Sequence, residues 1–415
     1  MALARFAADV VSDLLASFRV VVVSGARQVG KSTLTRELLD ISSQYTFDDD
    51  ATYDRATDDP TSFVASLPVP TVIDEYQRAG PALLRAVKQR VDHSNRRGQL
   101  LLTGSASYLA SKAPVETLAG RAGRLELWPL SQGEQRGVRE TFIERLFRPD
   151  QWPPENRQRV TRADAMDLVL RGGFPEVVTQ SMSVRARDRW FSAYVDDVVS
   201  REAIRPLADV RFERELRSML RLLGARSSAE LVLADLSADA ELARPTVSNY
   251  LAVLEALHLV HLLPAWATNA TTRAKKRPKI HLLDTGLAAS LNAVSIASVA
   301  ATADGKMAGA LLESFVVTEL AKQASYAERD VDLWHFQDRN GDEVDVIVTD
   351  RRSGNVAGIE VKASSSPSAA AGLTLAKLRD RLGSRFTVGI VLNTGPNPLP
   401  LGERLWAIPI SGLWS

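Results

Sequence analysis

The sequence predicts an α/β protein with several domains. Its 415 residues exceed one hydrophobic core, because single cores stop growing at roughly 250–300 residues. Short β-branched runs alternate with helical patterns over residues 18–130, which is typical of a parallel sheet flanked by helices. A second series of strands and helices starts at residue 306. We therefore expect two α/β units separated by a mainly helical region.

Five short segments, most of them apolar, predict the strands of the first unit. They are FRVVVVS (18–24), YTFDDD (45–50), PTVIDEY (70–76), QLLLTGS (99–105) and RLELWPL (124–130). Strand signals are missing from about 131 to 222, where the patterns are helical. The expected first domain spans residues 1–130, and a helical lid spans 131–222.

A helix, a turn, a second helix and a β-ribbon are predicted next, an order typical of a winged helix. One face of the second helix is apolar and consists of Val247, Tyr250, Leu251, Leu254 and Leu257. We assign residues 223–280 to this winged helix and a basic linker. From residue 306, the order helix, three strands, helix and strand predicts a last domain over 281–415.

Composition excludes several classes of protein. Fifty-one Lys and Arg residues against fifty Asp and Glu give a net charge of +1, so attraction to a polyanion depends on how the charges are arranged. The lack of cysteine excludes disulfides, thiolate metal sites and cysteine nucleophiles. The five histidines lack ligand spacing, which argues against a zinc enzyme. Without an apolar run near ~18 residues or a signal-peptide pattern, we expect a cytoplasmic protein.

Residues 25–32, GARQVGKS, fit the phosphate-loop pattern GxxxxGK[ST] between a buried strand and a helix. Glycines let backbone N–H groups surround phosphate oxygens, and the helix N-terminus adds positive potential. Lys31 is expected to reach the β- and γ-phosphates of ATP, and the Ser32 hydroxyl to bind Mg²⁺. The candidate nucleotide-binding residues here are Gly25, Ala26, Arg27, Gln28, Val29, Gly30, Lys31, Ser32 and Thr33.

An apolar strand that ends in two carboxylates supplies the second element of this site. Asp74 is expected to hold Mg²⁺ through water, and Glu75 to polarise the attacking water. Thr103 ends another predicted strand, where it can sense the γ-phosphate or orient water. A simple role in capping the strand end is the alternative for Thr103.

These motifs resemble the AAA-type ATPases, in particular a prokaryotic family that joins such a domain to a domain of unknown function, DUF4143, expected at about 190–365. The segments that carry the resemblance include GARQVGKST, VIDEYQ, LLLTGS, LAGR, GGFPEVV, KIHLLDTGL, EVDVIV and IEVKAS. The resemblance implies an arginine finger at Arg121, which would act on the γ-phosphate of a neighbouring subunit in an oligomer, such as a ring. Arg124 is the alternative finger, and either arginine can instead pair with a surface acid.

The last domain contains a second group of acids. Asp345 lies in one predicted strand, and Glu360 and Lys362 share a face of the next because strand side chains alternate. Together with Glu313 on the preceding helix, this order resembles the PD-(D/E)xK nucleases. That resemblance implies a Mg²⁺ site at Glu313, Asp345 and Glu360, with Lys362 as a catalytic group. The alternative is an ordinary salt-bridge pattern on an edge strand.

Two further acids precede Asp345. Asp342 and Glu343 occupy the place of the Pro-Asp signature of those nucleases, and we interpret both as solvated turn residues.

Two groups of residues are candidates for contact with DNA. A helix-turn-helix contacts the major groove through the N-terminal residues of its second helix, here Arg244, Thr246 and Asn249. The following basic run contains Arg273, Lys275, Lys276, Arg277 and Lys279. Its charges would neutralise phosphates and make affinity depend on salt. The alternative is a winged helix that packs between domains and a solvated linker.

The sequence thus predicts Mg²⁺-dependent ATP hydrolysis coupled to DNA binding and remodelling, with nuclease activity as a further option. Two alternatives remain open. One is a nucleotide-dependent switch that binds a protein partner and carries an inactive nuclease-like scaffold. The other is an ATP-regulated toxin or defence nuclease.

Overall fold

The computed structural model describes most of the chain. The described residues are 3–39, 41, 43–105, 118–154, 159–200, 213–267, 276–296, 306–338, 341–366 and 369–415. They form two compact units. The first consists of residues 1–130, 197–213 and 251–259, and the second of residues 131–196, 214–250 and 260–415.

A five-stranded parallel sheet organises the first unit, in the spatial order β2-β3-β4-β1-β5. Its strands are β1 (Val20–Ser24), β2 (Ser43–Thr46), β3 (Thr71–Asp74), β4 (Leu100–Gly104) and β5 (Ala122–Glu126). The predicted α/β class is therefore confirmed. The expected strand at 45–50 is wrong beyond Thr46, because Asp49 accepts a hydrogen bond from the Thr52 N–H and so caps the next helix.

Helices cover this sheet. They are α1 (Ala7–Ser17), α2 (Lys31–Thr33), α3 (Asp50–Asp58), α4 (Pro60–Ser66) and α5 (Gly80–Asp92). A π-helical turn at Leu34–Leu38 follows α2. The sheet residues Val22, Ile73 and Leu102 and the α5 residues Leu83 and Val87 belong to one buried cluster. Burying this apolar surface fixes the sheet and with it the loops at the strand ends.

The chain is mainly helical between the two sheets, as predicted. The helices are α6 (Gln132–Arg136), α7 (Phe142–Arg145), α8 (Arg162–Arg171), α9 (Pro175–Thr179), α10 (Val184–Val198), α11 (Glu213–Ala225), α12 (Leu233–Ala240) and α13 (Arg244–Ala256). The predicted apolar face of α13 is buried, including Val247 and Leu254. Two antiparallel strands follow, β6 (Val260–Leu263) and β7 (Lys279–Leu282).

A six-stranded mixed sheet, in the order β12-β13-β11-β10-β9-β8, belongs to the second unit. Its strands are β8 (Val331–Gln337), β9 (Glu343–Asp350), β10 (Val356–Lys362), β11 (Phe386–Asn393), β12 (Leu399–Gly402) and β13 (Leu405–Pro409). Helices α14 (Thr285–Leu291) and α15 (Lys306–Ala324) precede the sheet, and α16 (Leu373–Leu382) lies between β10 and β11 in sequence. Strands β12 and β13 were not predicted from the sequence. Among the described residues, no helix is both long enough and apolar enough to cross a bilayer.

Candidate functional site

The loop between β1 and α2 has the backbone geometry that close contact with phosphate requires. Gly25 has a φ of 156°, and a Cβ at this position would collide with the carbonyl oxygen of Leu127. Gly30, at a φ of 98°, turns the chain into the N-terminus of α2. The two glycines therefore shape the loop, and a side chain at Gly25 would push it out of place.

Lys31 is buried, with 6% of its surface exposed. Its ammonium donates hydrogen bonds to the carbonyl oxygens of Gly25 (2.9 Å) and Ala26 (2.8 Å). Burial lowers the pKa of Lys31 to about 8, although the negative charges of Glu75 and Asp74 act in the opposite direction. A buried lysine that has no ion pair among the described residues can receive an anionic ligand.

Ser32 on α2, after β1, lies beside Asp74 and Thr103 near the C-terminal ends of the adjacent parallel strands β3 and β4. Ser32 Oγ donates to Asp74 Oδ2 (3.0 Å), and Thr103 Oγ1 donates to Asp74 Oδ1 (2.5 Å). Asp74 is buried, and both of its oxygens point at hydroxyl groups. The structure thus assembles three residues that are far apart in the sequence.

Glu75 follows Asp74 with a φ of 54°, in the left-handed region that non-glycine residues rarely adopt. Its Oε2 accepts hydrogen bonds from Ser105 Oγ (3.1 Å) and from the Gln77 side chain. Two neutral partners therefore hold the Glu75 carboxylate beside the C-terminal end of β3. Backbone strain of this kind is concentrated at functional sites.

Arg121 lies just before β5 and binds Asp92, the last residue of α5. Its guanidinium makes a two-pronged contact, of which one bond, Nη2 to Asp92 Oδ2, measures 3.2 Å. The hydrogen bond to Arg121 lowers the pKa of Asp92. Arg121 thus has a surface partner in its own chain, and an arginine-finger role remains a prediction. Arg124 is exposed on β5.

The residues around the loop fit a nucleotide with Mg²⁺. Mg²⁺ prefers oxygen ligands and keeps several waters, so it needs few protein groups when phosphates supply the rest. The Ser32 hydroxyl and the Asp74 carboxylate are such ligands and already lie in contact. Among the residues that the structure describes, no group of three or more His, Asp or Glu side chains could hold a metal ion by itself.

A second group of charges, here called the carboxylate cluster, consists of Glu313 on α15, Glu343 and Asp345 on β9, and Glu360 on β10. Lys279 Nζ lies 2.7 Å from Glu313 Oε1, 2.5 Å from Glu343 Oε1 and 3.7 Å from Asp345 Oδ1.

Lys362 is the second lysine at the carboxylate cluster. Its ammonium lies 2.5 Å from Glu360 Oε1, and Asp345 Oδ2 accepts a hydrogen bond from the Val361 N–H (2.7 Å). The structure therefore brings Glu313, Asp345, Glu360 and Lys362 close together.

Burial dominates the electrostatics of the carboxylate cluster. Burial, followed by the negative charge of Asp345, raises the pKa of Glu313 and of Glu360 to about 8 each. The pKa of Asp345 is also raised by burial. For Lys279, burial would lower the pKa, but the charges of Glu313, Asp345 and Glu343 raise it above its ordinary value.

Two expectations from the sequence are corrected at this cluster. Lys279 is not available to DNA phosphates, because it is 3% exposed and its ammonium contacts three acids. Glu343 is not a solvated turn residue, since it starts β9 and pairs with Lys279. Asp342 does lie at the turn, where it pairs with Lys377.

The remaining nucleic-acid candidates differ in their surroundings. Lys276 donates to the carbonyl of Gln337 and lies 5.5 Å from the ring centre of Phe336. Arg277 is exposed. Arg273 and Lys275 lie outside the described residues.

The N-terminal part of α13 presents polar side chains. Arg244 and Asn249 are exposed, and Thr246 is half-buried. These residues start the second helix of the pair formed by α12 and α13, as the sequence predicts.

Three residues that support the phosphate loop or Glu75 were not predicted from the sequence. Arg5 is buried and donates to the carbonyls of Val29 (2.6 Å) and Trp128 (2.7 Å), although nothing in the local sequence marks it. Gln77 and Ser105 hold Glu75. Gln77 lies two residues after Glu75, and Ser105 lies two residues after Thr103. This closeness in sequence to predicted site residues could have identified both.

A parallel sheet with a phosphate loop, a buried aspartate and an adjacent glutamate at its strand ends defines a P-loop ATPase. Family models agree with this class. An AAA domain (AAA_14) matches residues 17–135, and the chain is an ATP-hydrolysing enzyme. Two domains of unknown function match further along, DUF8612 at 162–298 and DUF4143 at 308–413. The DUF4143 match thus begins well after the expected residue 190.

Several known proteins are similar to this chain. The uncharacterized proteins Mb2031c of Mycobacterium bovis and Rv2008c of Mycobacterium tuberculosis are each 29% identical over 395 residues, which is 94% of this chain and 80% of theirs. A Walker-type ATPase of Pyrococcus abyssi covers 69% of this chain and 94% of its own at 16% identity and a TM-score of 0.43. The RuvB branch migration motor of Thermotoga maritima covers 63% and 90%, at 18% identity and a TM-score of 0.29.

Proposed function

We propose that the chain hydrolyses ATP with Mg²⁺ at the phosphate loop and uses the reaction to act on DNA. The contact of Ser32 and Thr103 with Asp74 carries the first part of this proposal. Mg²⁺ bound by Ser32 and, through water, by Asp74 would neutralise phosphate charge. Lys31 would leave the carbonyls of Gly25 and Ala26 for the β- and γ-phosphates.

Glu75 is the proposed general base. Once it separates from Ser105 and Gln77, its Oε2 would accept a proton from water as the water oxygen bonds to the γ-phosphorus. The bond from that phosphorus to the ADP oxygen breaks, and ADP and phosphate leave. The neutral partners of Glu75 hold its carboxylate in place until a ligand rearranges them.

Exposed polar residues at the start of α13 support the DNA part of the proposal. Arg244 and Asn249 lie on the second helix of a pair that β6 and β7 follow, which is the order of a winged helix. In that arrangement, Arg244 would contact phosphate or guanine, and Asn249 would contact adenine. We propose that Arg121 completes the ATP site of a neighbouring subunit after it exchanges Asp92 for the γ-phosphate.

One observation favours a second candidate, a nucleotide-dependent switch that binds a protein partner. Lys276 and Lys279, two of the basic residues proposed for phosphate contact, are engaged inside the protein. Fewer cations are then available to DNA than the sequence suggests, and α13 could present its polar face to a protein.

ATP hydrolysis rates with single-stranded, duplex and branched DNA test the choice. The DNA proposal predicts a several-fold stimulation that is lost in Arg244→Ala/Asn249→Ala, kept in the surface control Arg381→Ala, and weakened by salt. A slow rate that no DNA changes would contradict it and support the switch.

A further inference from the structure

In the carboxylate cluster, the ammonium of Lys279 already lies at the position among the acids where a free cation would bind. The Lys279 ammonium contacts Glu313 and Glu343 directly and lies 3.7 Å from Asp345. Its side chain is only 4% exposed, against 15% for Glu313 and 9% for Asp345. Buried charges need partners, and here one ammonium serves three acids.

The backbone fixes this lysine in place. Lys279 begins β7, where it pairs with Leu263 of β6, and it also forms a bridge with Glu230. Its neighbour in the basic run, Lys276, points elsewhere and donates to the carbonyl of Gln337. Lys279 is therefore held at the cluster by the strand that carries it.

An independent observation at Glu360 indicates that the carboxylate cluster has too little positive charge for all of its acids. Its Oε1 contacts Lys362, but its Oε2 is buried and has no hydrogen-bond partner among the described residues. Glu360 as a whole is 8% exposed. A buried carboxylate oxygen without a partner is costly, and it faces a group of acids whose charges act on it.

We infer that the Lys279 ammonium is the resident cation of the carboxylate cluster and that it keeps divalent metal ions out. The oxygens of Glu313, Asp345 and Glu360 are of the type that Mg²⁺ and Mn²⁺ bind, so removal of Lys279 turns the cluster into a metal site. A metal ion beside the ammonium would meet repulsion within a few Å in a buried, weakly screened place. This inference is independent of the proposed ATPase function.

Mn²⁺ binding to the full-length, nucleotide-free protein tests the inference, with free Mn²⁺ measured by electron paramagnetic resonance. Lys279→Ala should gain about one Mn²⁺ per chain, bound at least tenfold more tightly than by the unmodified protein, and Lys279→Ala/Asp345→Asn should lose it. Lys276→Ala is the matched control and should gain nothing. A folded Lys279→Ala that binds no additional Mn²⁺ would overturn the inference.

Two further measurements cover the case in which Lys279→Ala folds poorly, since it leaves acids unpaired. Mn²⁺ should raise the Tm of Lys279→Ala by several degrees and leave the Tm of Lys276→Ala unchanged. The second uses no Lys279 variant: Asp345→Asn alone should bind as much Mn²⁺ as the unmodified protein. Loss of a Mn²⁺ site in Asp345→Asn would show that the metal already binds beside Lys279, contrary to the inference.

Discussion

At the phosphate loop, Asp74 accepts hydrogen bonds from the hydroxyls of Ser32 and Thr103, whereas in the carboxylate cluster Lys279 places an ammonium among three acids. Both places combine buried carboxylates with a buried lysine. At the loop, Lys31 is bound by backbone carbonyls, and its pKa falls to about 8 because of burial. In the cluster, nearby acids raise the pKa of Lys279.

Similar side chains therefore have different roles in the two places. Hydroxyl groups satisfy Asp74 without neutralising it, so its negative charge remains for a bound cation. In the carboxylate cluster, three acids instead share the ammonium of Lys279, a cation that the chain itself supplies. The first arrangement suits a site that binds and releases Mg²⁺ and ATP, and the second suits a site that keeps its charges paired.

Replacing the loop lysine should have the largest effect. Lys31→Ala should lower ATP turnover by roughly 10²–10³-fold and weaken nucleotide binding, because the phosphates lose their buried cation. Steady-state phosphate release and binding of a fluorescent ATP analogue measure both. The exposed control Lys377→Ala should match the unmodified protein. Hydrolysis that persists in Lys31→Ala would place the reaction elsewhere.

Glu75→Gln should separate binding from chemistry. We expect turnover to fall by roughly 10²-fold or more while ATP still binds, since the amide cannot accept the proton of the attacking water. Single-turnover hydrolysis and equilibrium binding measured side by side give the two quantities. Equal losses in both would instead assign Glu75 a role in holding the nucleotide.

The pH dependence of stability should reveal the carboxylate cluster. The pKa of Glu360 is about 8 in the folded chain, above its ordinary value in the unfolded chain. The folded state therefore holds a proton that the unfolded state has lost, and stability falls as pH rises from about 4.5 to 8. Urea unfolding at pH 5 and pH 8 measures this loss of unfolding free energy. In Glu360→Gln, the loss should be smaller by roughly 1–4 kcal/mol. An unchanged fall would mean that Glu360 is ionised in the fold.

Weakening the hydrogen bonds that hold Glu75 should raise the rate of ATP hydrolysis, whereas Glu75→Gln lowers it. The expected rise is smaller than that fall. Ser105→Ala removes one hydrogen bond to the resting carboxylate, so basal ATP hydrolysis should rise about twofold to tenfold. Ser66→Ala, which also removes a serine hydroxyl from the first unit, is the control. A rate that falls in Ser105→Ala would show that Ser105 orients Glu75 for catalysis.

Proton uptake on ATP binding is the smallest expected signal. Phosphates should raise the lowered pKa of Lys31, so binding should take up about half a proton at pH 8 and almost none at pH 6.5. Isothermal titration calorimetry in buffers with different ionisation enthalpies measures this uptake. Equal uptake at both pH values would contradict the role of Lys31.

The sequence predicted the phosphate loop well because its residues are contiguous. Eight positions from Gly25 to Ser32 specify the turn, and a run of apolar residues before Asp74 specifies the strand that delivers it. Local patterns of this kind do not need tertiary information. The order of elements from residue 306 to β11 was also predictable from periodicity.

Contacts between distant segments were not predictable in the same way. Lys279 was grouped with its basic neighbours in sequence, whereas strand alternation in β7 turns it toward Glu313 and Glu343. The β12 segment, LPLG, was missed because Pro and Gly weaken the strand signal. Arg5 reaches Trp128 across more than a hundred residues, which no local pattern indicates.

Counting the divalent ions bound per chain tests the comparison most directly. The full-length protein would be titrated with Mn²⁺ in the presence of a non-hydrolysable ATP analogue. We expect about one tightly bound Mn²⁺ per chain, lost in Asp74→Asn and retained in Asp345→Asn. A second tightly bound ion that disappears in Asp345→Asn, or a single ion unaffected by Asp74→Asn, would contradict it.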